Sequence, residues 1–460
     1  MNTTKKNIIV IGGGFAGLNF ARKLFNNKFY NVTVVDKNNY NYFTPLLYQV
    51  ATGFLEPGNI SYPFRKLFRG KNINFRMSGI DLVDTKNNDL YLTDGGFLKY
   101  DYLVFAAGTK TNFFGNASIQ KKSHSLKGID DALYIRNELV KTLEKASIEK
   151  DDEERRKLLT IVIAGGGPTG VEVAGMLAEM KHYIIGKEYP NLDSTAAEIY
   201  VVDGMGNLLE PMSEKTHVAA CKELSRLDIK VKLNTLVVSY DHDKVVLSNG
   251  EIIEAKTLIW AAGVTANIFK GIPEESLGRG KRMLTNEYNR VEGFENIFAI
   301  GDISLMTNDS KYPNGHPQLA QPAIQQGKML AKNFLALARG KSLQEFKYFD
   351  RGDMAIIGRK FAVADLFKHK LHIGGLAGLL AWLFIHVISL VNYNNVIKTL
   401  YNWLIAYLTR DQALRMIFRS GNRESEIEKK TESVPVNNQI HIISSNQSIP
   451  SNNYKVESIR

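Results

Sequence analysis

Unbroken apolar runs that end in glycine turns set the pattern of this chain. After a short polar start, "IIVIGGGFAGLNFARKL" (Ile8 to Leu24) gives a β-type run, a glycine turn, and small and apolar residues at helical spacing. The same order returns in "IVIAGGGPTGVEVAGML" (Ile161 to Leu177). A further strand, "DYLVFAAGTKT" (Asp101 to Thr111), is echoed by "KTLIWAAGVTA" (Lys256 to Ala266). Gly12 and Gly165, the first glycines of the two turns, lie 153 positions apart; Gly108 and Gly263, in the two "AAG" segments, lie 155 apart. One pattern is used twice, in order, at domain scale. An apolar strand feeding a glycine turn and a helix is the βα start of a doubly wound sheet. The expected fold class is therefore α/β, with two Rossmann-like dinucleotide-binding domains.

A later apolar strand, "NIFAIGDIS" (Asn296 to Ser304), fits the first domain best, so the second is expected to be inserted within it. The boundaries expected are 1–120 and 286–350 for the first domain and 121–285 for the second. From Leu371 to Val391 the chain has no Lys, Arg, Asp or Glu over 21 residues, and the segment after it mixes apolar with basic positions. That predicts a helical region over 351–420. Its uncharged run is long enough to cross about 30 Å of hydrocarbon, whereas His372, His386 and the basic segment that follows favour helices lying in the interface. Residues 421–460, rich in Ser, Asn and Gln, are expected to form a disordered tail.

Composition narrows the chemistry. A formal charge of +11 over 460 residues favours an anionic partner, whether nucleotide, nucleic acid or acidic membrane surface. Cys221 is the single cysteine, which rules out an internal disulfide and any mechanism that needs a cysteine pair. The first strand begins so early that no signal or transit peptide is expected before it.

The glycine turns carry the clearest chemistry. Gly12, Gly14 and Gly17 form G-x-G-x-x-G directly after a strand, where backbone N–H groups at a helix start can approach a pyrophosphate. Asp36 ends the next strand, placed to accept hydrogen bonds from a ribose. Gly165, Gly167 and Gly170 repeat the turn, and Asp203 closes "EIYVVD". An acid there repels a 2′-phosphate, so NADH is expected over NADPH. Two dinucleotide sites in one chain imply electron transfer between a bound FAD and an exchanging NADH. Glu172 lies on the first turn of the second helix, near the expected nicotinamide end; the positive helix end would favour an acid there in any case.

At this point the sequence resembles the type II NADH:quinone oxidoreductases, the single-subunit, non-pumping NADH dehydrogenases. The resemblance runs from about Asn7 to Arg419. It is carried by "VVDKNNYNYFTPLLYQVATG", "IWAAGV", "NIFAIGD", "AQPAIQQG" and "FDRGDMAIIGRKFAVAD". It implies hydride transfer from NADH to FAD and then two-electron reduction of a membrane quinone. It implies that Asp302 meets the FAD ribityl chain, that Ile80 meets the adenine through its backbone, and that Gly108 and Gly263 close the FAD and NADH strands. Glu172 would stand near nicotinamide and quinone, and Gln321 and Gln325 beside flavin and quinone head. Departures are Thr44, where the family commonly has Gln, and Asn395-Val396, where it commonly has Asn-Arg. The resemblance also implies a homodimer and a monotopic anchor, with Lys398, Arg410, Arg415 and Arg419 facing anionic headgroups on the cytoplasmic face of a bacterial inner membrane. A helix is expected to start near Pro322, its N–H groups toward the flavin. The amides of Gln321 and Gln325 do not titrate and could orient a neutral quinone carbonyl. The rival reading is a soluble NADH-dependent ferredoxin or rubredoxin reductase, which leaves the C-terminal apolar run unexplained.

Overall fold

The computed structural model describes residues 5–367, 370–409 and 416–417. The first strand, β1 (Lys6–Ile11), runs into α1 (Phe15–Lys23) and returns as β2 (Tyr30–Asp36). A short helix α2 (Leu47–Ala51) precedes β3 (Ile73–Met77) and β4 (Tyr102–Phe105). After β5 (Thr109–Thr111) and β6 (His124–Ser125), helix α3 (Ile129–Ile148) leads to the second pattern: β7 (Ile161–Ala164), α4 (Pro168–Met180), β8 (Ile199–Val202), α5 (Glu214–Arg226), β9 (Ile229–Lys232), β10 (Thr257–Trp260) and β11 (Val264–Ala266). Then come β12 (Ile297–Ala299) and α6 (Ala320–Leu337). The C-terminal part comprises β13 (Gly352–Ile357), β14 (Phe361–Leu366), β15 (Leu371–Gly374), α7 (Gly375–Ile388) and α8 (Tyr393–Thr409).

Two five-stranded parallel sheets result. The first has the order β12-β4-β1-β2-β3, the second β6-β10-β7-β8-β9. Strands covered on both faces must be apolar at every position rather than at alternate ones, and the four residues Ile8 to Ile11 and all of β10 are buried. Strand β12 pairs with β4 of the first sheet although the whole second sheet lies between them in sequence. The two halves are also stitched directly: β5 and β11, each following an "AAG" segment, pair antiparallel from Thr109–Ala266 to Thr111–Val264.

The C-terminal part is not helical throughout, although a helical region is expected over 351–420. It opens as a three-stranded antiparallel sheet, β13-β14-β15, whose last strand takes the first four residues of the uncharged run, and the two helices follow. It is bound to the nucleotide-binding halves by specific contacts. Gly175 on α4 lies against the Gly358 backbone in the turn between β13 and β14, where a Cβ would collide with the Gly358 nitrogen. Asp365, fully buried on β14, accepts hydrogen bonds from Ser213 N (2.7 Å), Ser213 Oγ (2.9 Å) and Thr216 Oγ1 (2.9 Å) at the start of α5. Asn395 donates from Nδ2 to the Ser61 carbonyl (2.9 Å), so the asparagine that keeps the family pattern docks α8 onto the first half, next to Val396, which departs from it.

The helices α7 and α8 wear their apolar residues on the outside as well as the inside. Trp382, Leu379 and Trp403 are buried, while Leu376, Leu380, Phe384 and Ile388 on α7 and Ile397, Leu404 and Leu408 on α8 are exposed. Among the described residues no helix is long and apolar enough to cross a membrane. Arg410, Arg415, Arg419 and the expected tail lie outside the described residues.

The Gly175 contact is testable. Gly175→Ala should cost roughly 1–3 kcal/mol, because the methyl group meets backbone that cannot rotate away. Thermal unfolding should show a lower midpoint, and a midpoint equal to that of the parent chain would mean that α4 does not rest on this turn.

Candidate active site

The glycine turn of β1-α1 works by close approach. A Cβ at Gly12, whose φ is 100°, would lie 2.5 Å from the Ala106 carbonyl oxygen, and one at Gly17 would collide with the Gly12 carbonyl. A Cβ at Gly14 would meet nothing of the protein within 4 Å, which leaves that side of the turn free for a ligand. The second turn repeats the arrangement. Gly165, with φ 113°, abuts Ala261, Gly170 abuts the Gly165 carbonyl, and Gly167 is open. At Gly263 a Cβ would stand 3.1 Å from the Phe114 ring.

A cleft of about 690 Å³ opens over the first turn. Gly12, Gly14, Asp36, Gly108 and Asp302 line it; Thr44, at the family's usual Gln position, lines it too. Gly17, Ile80 and Gln321 do not. Gly17 supports the turn from beneath. Ile80 follows Ser78, whose N–H donates to the Asp36 carbonyl (3.0 Å), so it stands just past the Asp36 end. Asp36 accepts from Gly13 N (2.7 Å) and Asn38 N (2.8 Å). Burial raises its carboxyl, with these N–H groups and Lys37 opposing. At the other end Asp302 is also raised by burial, with Lys127, Arg282 and the Thr109 hydroxyl opposing. The set of glycine turn, ribose-type acid and second buried acid across an elongated cleft fits a dinucleotide of FAD's size. Asp203 repeats the role of Asp36: it accepts from Gly166 N and from Met205 N (2.7 Å).

Helix α6 starts at Ala320, two residues earlier than Pro322 suggests. The proline lies in the first turn, where its missing N–H would have no partner, so Gln321 is already helical. Gln321 donates from Nε2 to the Gly352 carbonyl (3.0 Å), and its Oε1 is buried with no hydrogen-bond partner in the structure. Gln325 exchanges two bonds with the Phe349 backbone, Nε2 to O at 2.9 Å and N to Oε1 at 3.0 Å. Its amide is thus committed to bracing the entry to β13. Two further glutamines support the Asp302 turn: Gln326 Oε1 accepts from Gly301 N (2.6 Å), and Gln318 Nε2 donates to the Asp302 carbonyl (3.0 Å).

Glu172 is 7% exposed. Burial raises its carboxyl well above the usual range, and the Ile356 backbone and Trp382 indole oppose this only in part. The Trp382 Nε1–H closes no hydrogen bond of ordinary geometry. Strand β13 thus carries both landmarks: Gln321 holds Gly352 and Glu172 meets Ile356. Four residues of extended strand separate them by about 13 Å. Around Glu172 the structure gathers residues that motif reading missed. Trp403 Nε1 donates to Gln49 Oε1 (2.8 Å), and Gln49 Nε2 donates to the Tyr48 hydroxyl (2.9 Å). Burial and then the Glu172 charge push the Tyr48 phenol well up. His386 stacks on Trp382 with centroids 3.8 Å apart, and burial lowers its imidazole to about 4. Tyr48 and Gln49 sit inside the quoted "PLLYQVATG", but Trp403 is 354 positions from Gln49, a pairing that no local pattern signals.

The fold and these turns define a flavoprotein-type oxidoreductase with two nucleotide sites, and residues 6–327 match the family model for pyridine nucleotide-disulphide oxidoreductases. Curated relatives include type II NADH:quinone oxidoreductase NdhA of Mycobacterium tuberculosis, 32% identical over 88% of this chain and 87% of the relative. A second enzyme of that organism, Ndh, is 31% identical over 87% and 88%. The solved structure of NDH2 from Plasmodium falciparum in complex with NADH matches with a TM-score of 0.82 at 22% identity, over 90% of this chain and all of that one, a likeness of fold. The chain belongs to the type II NADH:quinone oxidoreductases. Its single cysteine, Cys221, is half-buried on α5, so the disulphide of the wider family's name has no counterpart within this chain.

The raised Glu172 carboxyl predicts a pH signature. A folded-state value above the unfolded one gives stability that is complete below the unfolded value, about 4.3, and lost as pH rises toward the folded value. Glu172→Gln has no such loss. Its thermal midpoint relative to the parent should therefore rise from pH 4 upward, and a difference independent of pH would mean that the carboxyl is not desolvated.

Proposed function

We infer that the protein is an FAD-dependent NADH:quinone oxidoreductase. The observation that carries this is the pairing of two glycine-turn nucleotide sites with a desolvated glutamate under C-terminal helices, in a chain of this family. Bound FAD supplies hydride acceptance from NADH and two-electron delivery to a quinone.

The chain's own residues have defined tasks in this reading. Gly12, Gly14 and Asp36 bind the FAD pyrophosphate and ribose, with Gly17 supporting the turn. Ile80 borders the adenine, and Gly108 and Asp302 hold the ribityl side. Gly165, Gly167, Gly170, Asp203 and Gly263 form the NADH site. Glu172, whose carboxyl is biased toward its protonated form by burial, stands beside the reacting atoms to hold or pass a proton. Gln321, whose Oε1 has no partner, faces flavin and quinone; Gln325 acts by holding the Phe349 backbone rather than by contact.

We also propose that α7 and α8 lie in the membrane interface. Leu376, Leu380, Phe384 and Ile388 recur every four residues along one exposed face, with exposed Lys398 on α8 to meet anionic headgroups. A soluble ferredoxin-type reductase would leave this face without an occupant. NADH does not cross bilayers, so the nucleotide sites must face the compartment that holds it. A second copy of the chain, as in a homodimer, is the rival occupant of the same face.

Purified protein should oxidise NADH rapidly when given a short-chain quinone, and a rate no faster than without quinone would reject the reading. Asp203→Asn should bring NADPH use to within about tenfold of NADH, read from kcat/KM for each; unchanged selectivity would place discrimination elsewhere. Leu380→Asp with Phe384→Asp should abolish co-sedimentation with anionic vesicles. If the double variant instead pellets with vesicles as the parent does but changes from dimer to monomer, the face belongs to the second copy.

A further inference from the structure

Three lysines line the FAD cleft. Lys37 and Lys110 are exposed, and only Lys127 is drawn into it. Its backbone is fixed from both sides. The Tyr42 hydroxyl donates to the Lys127 carbonyl (3.0 Å), and Lys127 N and Gly128 N both donate to Asp131 Oδ2 (2.8 and 3.0 Å) at the start of α3. Tyr42 lies in the field of Asp36, while the Lys127 ammonium lies in the field of Asp302. Lys127 thus lines the cleft with its backbone tied to Tyr42 and Asp131 and its ammonium toward the Asp302 end. The pyrophosphate is the formally charged part of FAD, and it joins the ribose to the ribityl chain.

The glycine turn itself brings no cation. The basic residues of α1, Arg22 and Lys23, are in its last turn. Asp36, Asp130, Asp131 and Asp302 all line the cleft, so a pyrophosphate enters a wall rich in negative charge. Arg282, the other cation near Asp302, is committed to the Ser304 and His316 carbonyls and does not line the cleft. We propose that Lys127, the one lysine drawn into this cleft, is the counter-charge of the FAD pyrophosphate. The turn then provides directed N–H donors and Lys127 provides the formal charge, a division that a backbone-only cradle lacks.

The test uses the full-length holoenzyme, diluted stepwise while released FAD is read by its fluorescence. Lys127→Met should weaken FAD binding roughly ten- to hundredfold, the range of a charge-assisted hydrogen bond. Lys127→Arg should recover most of that loss. ADP, which carries the pyrophosphate without the flavin, should compete for the site less well with the Met variant by a similar factor. Unaltered FAD retention in Lys127→Met overturns the proposal. So does weaker FAD binding with unchanged ADP competition and a shifted flavin midpoint potential, which would put the ammonium at the isoalloxazine. Should the Met variant not fold, Lys127→Gln serves the same comparison. None of these readouts needs quinone turnover, so they stand apart from the test of the activity.

Discussion

The absence of a side chain at Gly175 lets α4 rest directly on the Gly358 turn of the C-terminal sheet. Much of the site follows from that approach. It sets the Glu172 carboxyl against Ile356 on β13 and beneath Trp382 on α7. It also places β13 between the glutamate helix and the glutamine helix, so one strand measures the distance from Gln321 to Glu172. The Gln325–Phe349 pair and the Asp365 cluster both hold the open end of the β13–β14 hairpin, where Asp353 pairs with Asp365, while the Gly175 contact holds its turn. A side chain at position 175 would push the sheet, and with it the cover over Glu172, away from the nucleotide-binding half.

The cover creates a desolvated pocket with opposite effects on acids and bases. A buried carboxyl resists losing its proton and a buried imidazole resists gaining one, so Glu172 is raised well above the usual carboxylate range while His386 is lowered to about 4. Tyr48, Gln49 and the two tryptophans give this interior donors and acceptors without formal charge. Such surroundings suit a neutral, lipid-soluble acceptor that arrives from an apolar face. The FAD cleft is the contrary case, since it is bounded by carboxylates at both ends and must offset a charged ligand.

The two glycine turns show how far one backbone solution can be reused. Both collide with an imagined Cβ at the same two positions and stand open at the same third. In both, the strand-end acid accepts from the second glycine N–H, Gly13 for Asp36 and Gly166 for Asp203. The acid therefore orders its own turn as well as offering a ribose partner.

Much of this architecture was legible in the residues. Strands apolar at every position, glycines in fixed spacing and an acid at the next strand end have local causes, namely burial on both faces and forbidden Cβ positions. They determine two parallel sheets, their turns and the nucleotide acids without reference to distant parts of the chain. The glutamines were the opposite. "AQPAIQQG" marks a helix start, yet whether Gln321, Gln325 or Gln326 has a free amide depends on the backbones of Gly352, Phe349 and Gly301, which only the packed chain brings near. The same holds for Lys127, an ordinary surface-type residue until α3 and the Asp302 turn enclose it. Local sequence determines what a segment can be; which polar atoms are satisfied, and which charges are desolvated, is decided by long-range packing.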